Sequence, residues 1–143
     1  MNSWRRSELA GFGDRLRWLE SEAARHSYEY ARSFSSDVTY GLNPGTVRDI
    51  ERHVIDSNNV AQGWLAARIP TDEFTVRVVL GSDEVFILPT SIFVARWRDL
   101  FLPGRDDAVV LADHADWVFF YCHEEELEFG HRVGRGSRSE STG

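Results

Sequence analysis

Six consecutive residues, Trp117-Val118-Phe119-Phe120-Tyr121-Cys122, are apolar at odd and even positions alike, and this run restricts the fold more than any other. Side chains along a strand alternate between opposite faces. A strand with no polar face must therefore be covered on both sides. The segments around it also read as strands. "EFTVRVVLG" (73–81) alternates Phe74, Val76 and Val78 with Thr75, Arg77 and Val79, and "VFILP" (85–89) follows the turn residues "GSDE" to close a predicted hairpin. "AVVL" (108–111), the turn "ADHAD", "WVFFYC", the turn "HEEE" and "LEFGHR" (127–132) then form a meander. Between "VFILP" and "AVVL", Phe93, Trp97, Leu100 and Phe101 share one face of a helix expected over about Ser91 to Leu100.

Before residue 72 the period is helical. Phe12, Leu16, Leu19, Ala23, Tyr30 and Phe34 recur at steps of mostly three and four residues, while Arg15, Arg17, Glu20, Glu22 and Arg25 face outward. Asn43-Pro44 reads as an N-cap with a first-turn proline, opening a second helix through Val47, Ile50 and Val54. The expectation is an α+β domain over residues 1–132, with N-terminal helices on a mainly antiparallel sheet of about five strands and one helix inserted between strands. Residues 133–143, "VGRGSRSESTG", have almost nothing to bury and read as a flexible tail.

Composition narrows the function. With 42% hydrophobic and 13% aromatic residues in 143, the chain has a core and no need of staples. One cysteine cannot form an internal disulfide, the N-terminus lacks a signal-peptide pattern, and no run approaches the roughly 18 apolar residues of a membrane span. A cytoplasmic protein with no membrane association is expected. The net charge of -7 argues against nucleic acid as a partner, although all 16 basic residues are arginine. Between Gly81 and Arg132 the acids outnumber the arginines eleven to four, which favours a basic protein partner.

The densest chemistry lies in "CHEEELEFGHR", residues 122–132. Cys122, His123, His131 and His114 are nominally enough for a zinc site, but neighbouring strand residues diverge unless the strand ends between Cys122 and His123. The plainer reading is Cys122 as a small buried hydrophobe, with no metal and no cofactor. Consecutive glutamates in a turn are ordinarily solvated, so acid/base catalysis has little support. The G-x-S-x-G elbow, the phosphate-cradling glycine loop and the dinucleotide-binding glycine pattern are all absent. The candidate site is therefore a set of acidic binding loops, Asp106-Asp107, Asp113, Asp116, Glu124, Glu125 and Glu126.

The order "VFILPTSIF", Trp97, Asp106-Asp107, the Trp117 strand and a closing Phe129-Gly130-x-Arg132 resembles small bacterial domains of uncharacterised function, over about a third of the chain. In size, charge and class the chain is also similar to immunity proteins of bacterial polymorphic-toxin systems. That similarity implies a non-catalytic inhibitor covering a basic active site or groove. A small enzyme or ligand-binding domain with a pocket between sheet and helices is the alternative. Gly130 suits a bulge or close backbone approach in the last strand, and Arg132 is expected to pair with Asp106 or Asp107.

Overall fold

The computed structural model describes residues 3–36, 41–55, 58–70, 74–102 and 104–133. The five predicted strands are all present: β5 (Thr75–Gly81), β6 (Glu84–Pro89), β7 (Ala108–Ala112), β8 (Trp117–Cys122) and β9 (Glu126–Arg132). Two more complete the sheet, β1 (Arg17–Trp18) and β4 (Val47–Val54). The order is β1-β6-β5-β7-β8-β9-β4, and every pairing is antiparallel. A separate two-stranded ribbon joins β2 (Ser35–Ser36) to β3 (Gly41–Leu42). The predicted helix is α4 (Thr90–Arg96), continued by a 3-10 turn over Trp97–Asp99.

Both faces of the sheet are buried, as the all-apolar β8 requires. On one face Val76, Val78, Phe86, Leu88, Val110, Phe119, Tyr121 and Leu127 pack with Leu65 of α3 (Asn58–Arg68) and Phe93 of α4. On the other, Val79, Val85, Ile87, Val109, Leu111, Val118 and Phe120 pack with Ala24 and Ala31 of α2 (Ser21–Arg32). Trp97 and Trp117 are 1% and 4% exposed, as expected of core residues, and the Trp97 indole donates to Gln62 Oε1 at 2.8 Å, tying α4 to α3.

Two expectations are corrected. The continuous helix from Phe12 to Phe34 is instead α1 (Ser3–Glu8), a 3-10 turn (Ala10–Arg15), β1 and α2. Gly13 sits at φ 60°, ψ -136°, a conformation closed to most residues, and it turns the chain so that Leu16 and Leu19 reach the core from extended backbone. Consequently Ala24 is buried in place of Ala23, and Tyr30 is 46% exposed.

The second helix does not exist either: Val47–Val54 is edge strand β4. Asn43 caps a turn, its Oδ1 accepting the Gly45 N–H at 2.9 Å. The helix-like spacing of Val47 and Ile50 comes from a bulge. Between Arg48 and Glu51 the register gains one residue at Asp49, which has φ 56°. Val47 and Ile50 thereby reach the same face, over Gly130. The expected close approach at Gly130 is observed, since a Cβ there would lie 2.4 Å from Val47 Cγ1 and 3.0 Å from the Arg48 carbonyl. Val133 donates to the Thr46 carbonyl at 3.0 Å, and the rest of the expected tail, 134–143, lies outside the described residues.

Candidate functional site

The seven acidic residues do not form one surface. β8 separates them, six residues or roughly 20 Å long at about 3.3 Å per residue. Asp106, Asp107 and Glu124–Glu126 lie at one end of the sheet, beside the β5–β6 turn, whereas Asp113 and Asp116 lie in the β7–β8 turn at the other.

At the first end Asp106 is a structural residue. Only 3% exposed, it accepts from both Nη atoms of Arg5 at 3.2 and 3.1 Å, from Arg105 Nε at 2.8 Å and from the Leu102 N–H at 2.8 Å. Arg5 Nε lies 3.1 Å from the buried Glu84 carboxylate. Burial alone would raise the Asp106 pKa, but the hydrogen bonds from Arg105 and Arg5 outweigh it and bring the value down to about 2. Its neighbour Asp107 is exposed. Asp107 Oδ1 accepts the His123 N–H at 2.8 Å and stands 2.9 Å from His123 Nδ1, and this contact raises the imidazole pKa.

The hairpin from β8 to β9 carries the glutamates. Glu125 occupies φ 63°, a costly conformation for a residue with a side chain. Hydrogen bonds hold it there, its N–H donating to the Cys122 carbonyl at 2.8 Å and its carbonyl accepting the Ile55 N–H at 2.9 Å. Glu124 and Glu125 project into solvent. Glu124 has only the His123 ring, 3.9 Å away, and the Glu125 side chain contacts no cation among the described residues. Glu126 is paired with Arg52 of β4. Two apolar side chains share this end, Leu102 at 43% and Val54 at 55% exposure.

Strand β8 ends at Cys122, so Cys122 and His123 do converge, contrary to the divergence a continuous strand implies. Oxygen, sulfur and nitrogen donors of Asp107, Cys122 and His123 lie within 4.8 Å of one another. Their chemistry is already committed, though. Burial pushes the Cys122 thiol pKa up, away from thiolate, and Asp107 and His123 hydrogen-bond each other, so a metal would have to displace that bond. Behind them burial holds the Tyr121 phenol up at about 12, far from proton-transfer duty at neutral pH.

At the opposite end the carboxylates are neutralised. Asp113 accepts from Thr75 Oγ1 at 2.6 Å and lies 3.6 Å from Arg77 Nη2. Asp116 meets His131 Nδ1 at 2.8 Å and Arg48 Nη2 at 3.2 Å; burial works against its ionisation, but His131 and Arg48 lower its pKa overall. Arg132 pairs with neither Asp106 nor Asp107, because β9 runs it to the far end. There its guanidinium donates to the Ala112 carbonyl at 2.7 Å, to the Ala115 carbonyl and to the Tyr30 hydroxyl at 3.1 Å, locking the β7–β8 turn.

Next to that turn lies a cavity of about 530 Å³ whose lining includes Arg15, Arg17, Thr75, Arg77, Ile87 and Asp113. No residue of it except Asp113 belonged to the predicted site. The one available signal was Arg77, a charge set among the apolar residues of "TVRVVL". Comparison of the chain with protein families, with curated proteins and with solved structures gives no match. No helix among the described residues is long and apolar enough to cross a membrane.

Proposed function

We propose that this protein is a non-catalytic binding protein whose acidic end, formed by Asp107, Glu124 and Glu125, docks a basic protein partner. The observation that carries the reading is the state of Glu124 and Glu125: they stand exposed on a hairpin tip held by hydrogen bonds, and no arginine among the described residues pairs with either. Charge so placed speeds the encounter with a cationic surface, while affinity comes from buried anchors. Leu102 and Val54 flank the acids and supply apolar surface for that purpose. The buried Arg5–Asp106 pair beneath gives a rigid base, which limits the ordering cost of association. The absence of a catalytic motif in the sequence, the protonated Cys122 and the high pKa of Tyr121 all favour binding over catalysis. Within this class, an immunity-type inhibitor covering the basic groove of a toxin is the finer reading, in keeping with the similarity in size, charge and class.

A photo-crosslinking residue at Glu124, in chain expressed in its native host, is expected to capture a basic protein. The same residue at Arg48, on the far end, is expected not to capture it. Equal capture at both positions, or an acidic partner at Glu124, would sink the reading.

A further inference from the structure

A second site follows from one guanidinium whose donors the fold leaves partly unused. On the α2 face, Arg17, Ile87, Arg77, Leu111 and Val118 are register partners in successive strands and form a single row. Across β6, β5, β7 and β8 the next row on that face, Val85, Val79, Val109 and Phe120, is apolar. Arg77 thus projects from an interior strand onto a hydrophobic face, with 35% of its side chain exposed. A guanidinium in such a place costs free energy unless its donors are satisfied. Nη1 donates to Ser27 Oγ at 2.9 Å, Nη2 stands 3.6 Å from Asp113, beyond hydrogen-bond range, and the buried Nε has no partner. Most of the fork is unspent.

Arg17 stands on the other side of Ile87, two strands away, or about 10 Å between Cα atoms. Its exposed side chain makes no hydrogen bond, ion pair or ring contact with a described residue. Two long cationic side chains at that separation, lining the same cavity of about 530 Å³, can close on one group lying over Ile87. The volume falls in the range of small-molecule sites. Three arginines line it, Arg15, Arg17 and Arg77, against two aspartates, Asp14 and Asp113, leaving positive charge in excess. Ile87 and Pro89 supply apolar lining, and the His114 ring stacks on Phe74 at 4.3 Å beside it.

We propose that the cavity between Arg17 and Arg77 binds a small organic oxyanion, with the carboxylate or phosphate held by the two arginine forks and an apolar body resting on Ile87 and Pro89. Planar forks suit both oxyanions, since each accepts paired N–H donors. The site is separate from the acidic end, so neither proposal depends on the other.

The test is calorimetric titration of the full chain with phenyl phosphate, phenylacetate and inorganic phosphate. Saturable one-site binding of at least one of the aromatic anions is expected, and the tighter of the two identifies the headgroup. Inorganic phosphate should bind more weakly, having no apolar body. Arg17→Gln removes a side chain with no hydrogen bond, ion pair or ring contact to a described residue, so it should leave folding intact and weaken binding about tenfold or more, the scale of a lost charge-assisted hydrogen bond. Arg77→Gln should weaken it at least as much, and Glu124→Gln/Glu125→Gln not at all. No saturable binding of either aromatic anion, an affinity unchanged by Arg17→Gln, or inorganic phosphate binding as tightly as phenyl phosphate would overturn the proposal.

Discussion

The two ends of the sheet look alike in sequence and differ once folded. Each is a turn region carrying several carboxylates. At the β7–β8 end, other strands deliver partners to the carboxylates: Arg48 from β4 and His131 from β9 to Asp116, and Arg77 from β5 to Asp113. Further arginines, Arg15 and Arg17, are left over. At the other end Arg5 and Arg105 converge on the buried Asp106, and the exposed glutamates of the hairpin tip keep their charge. Local charge in a sequence therefore does not predict surface potential. The long-range pairing decides it.

The largest expected difference is energetic. Asp106→Asn leaves Arg5 buried and short of its partner, and removing one member of a buried pair costs about 3–5 kcal/mol. Asp116→Asn, half-exposed at the far end, should cost under about 1 kcal/mol. Denaturant unfolding of both variants measures this, and equal losses would break the comparison. Acid should give a related but smaller effect. The Asp106 pKa falls from 3.8 to about 2 on folding, so its contribution is complete above about pH 4 and is lost as pH drops through about 2. That contribution is about 2 kcal/mol from the shift alone, and the wild-type advantage over Asp106→Asn should shrink across this window.

Next comes Gly130→Ala. The added methyl meets Val47 Cγ1 and the Arg48 carbonyl, so β4 must shift, for about 1–3 kcal/mol. Because β4 carries Arg48, the variant should also loosen the Asp116 pairing and raise the apparent pKa of Asp116, readable by NMR titration. No change in either quantity would mean that β4 does not hold the far end together.

How much of this was legible depended on how local the encoding is. The strands β5 to β9 were readable because short runs of β-branched and aromatic residues stand between turn residues. β4 was not, since the bulge at Asp49 puts Val47 and Ile50 three residues apart, the step of a helix. α3 was missed because, among the described side chains, Ala61 and Leu65 within it and Ile69 just beyond are the buried ones, too narrow a stripe to read beside Gly63. Glu124 and Glu125 were correctly placed in an exposed turn. The burial of Asp106 was invisible, because Arg5, which meets it together with the adjacent Arg105, is 101 residues away and nothing near Asp106 encodes that pair. In sequence Arg77 reads as one residue of the less buried face of its strand, and the cavity beside it required β1, which two residues alone could not announce.

The most direct test is the association rate of the partner captured at Glu124, measured against salt for variants of each end. Glu124→Gln/Glu125→Gln spares the Arg52–Glu126 pair and should keep the fold. At low ionic strength it should slow association about tenfold and flatten the salt dependence, as loss of steering charge does. Arg48→Gln at the far end should leave the rate unchanged. An on-rate indifferent to the hairpin glutamates, or one that responds equally to charge at both ends, would contradict the assignment of the acidic end as the docking face.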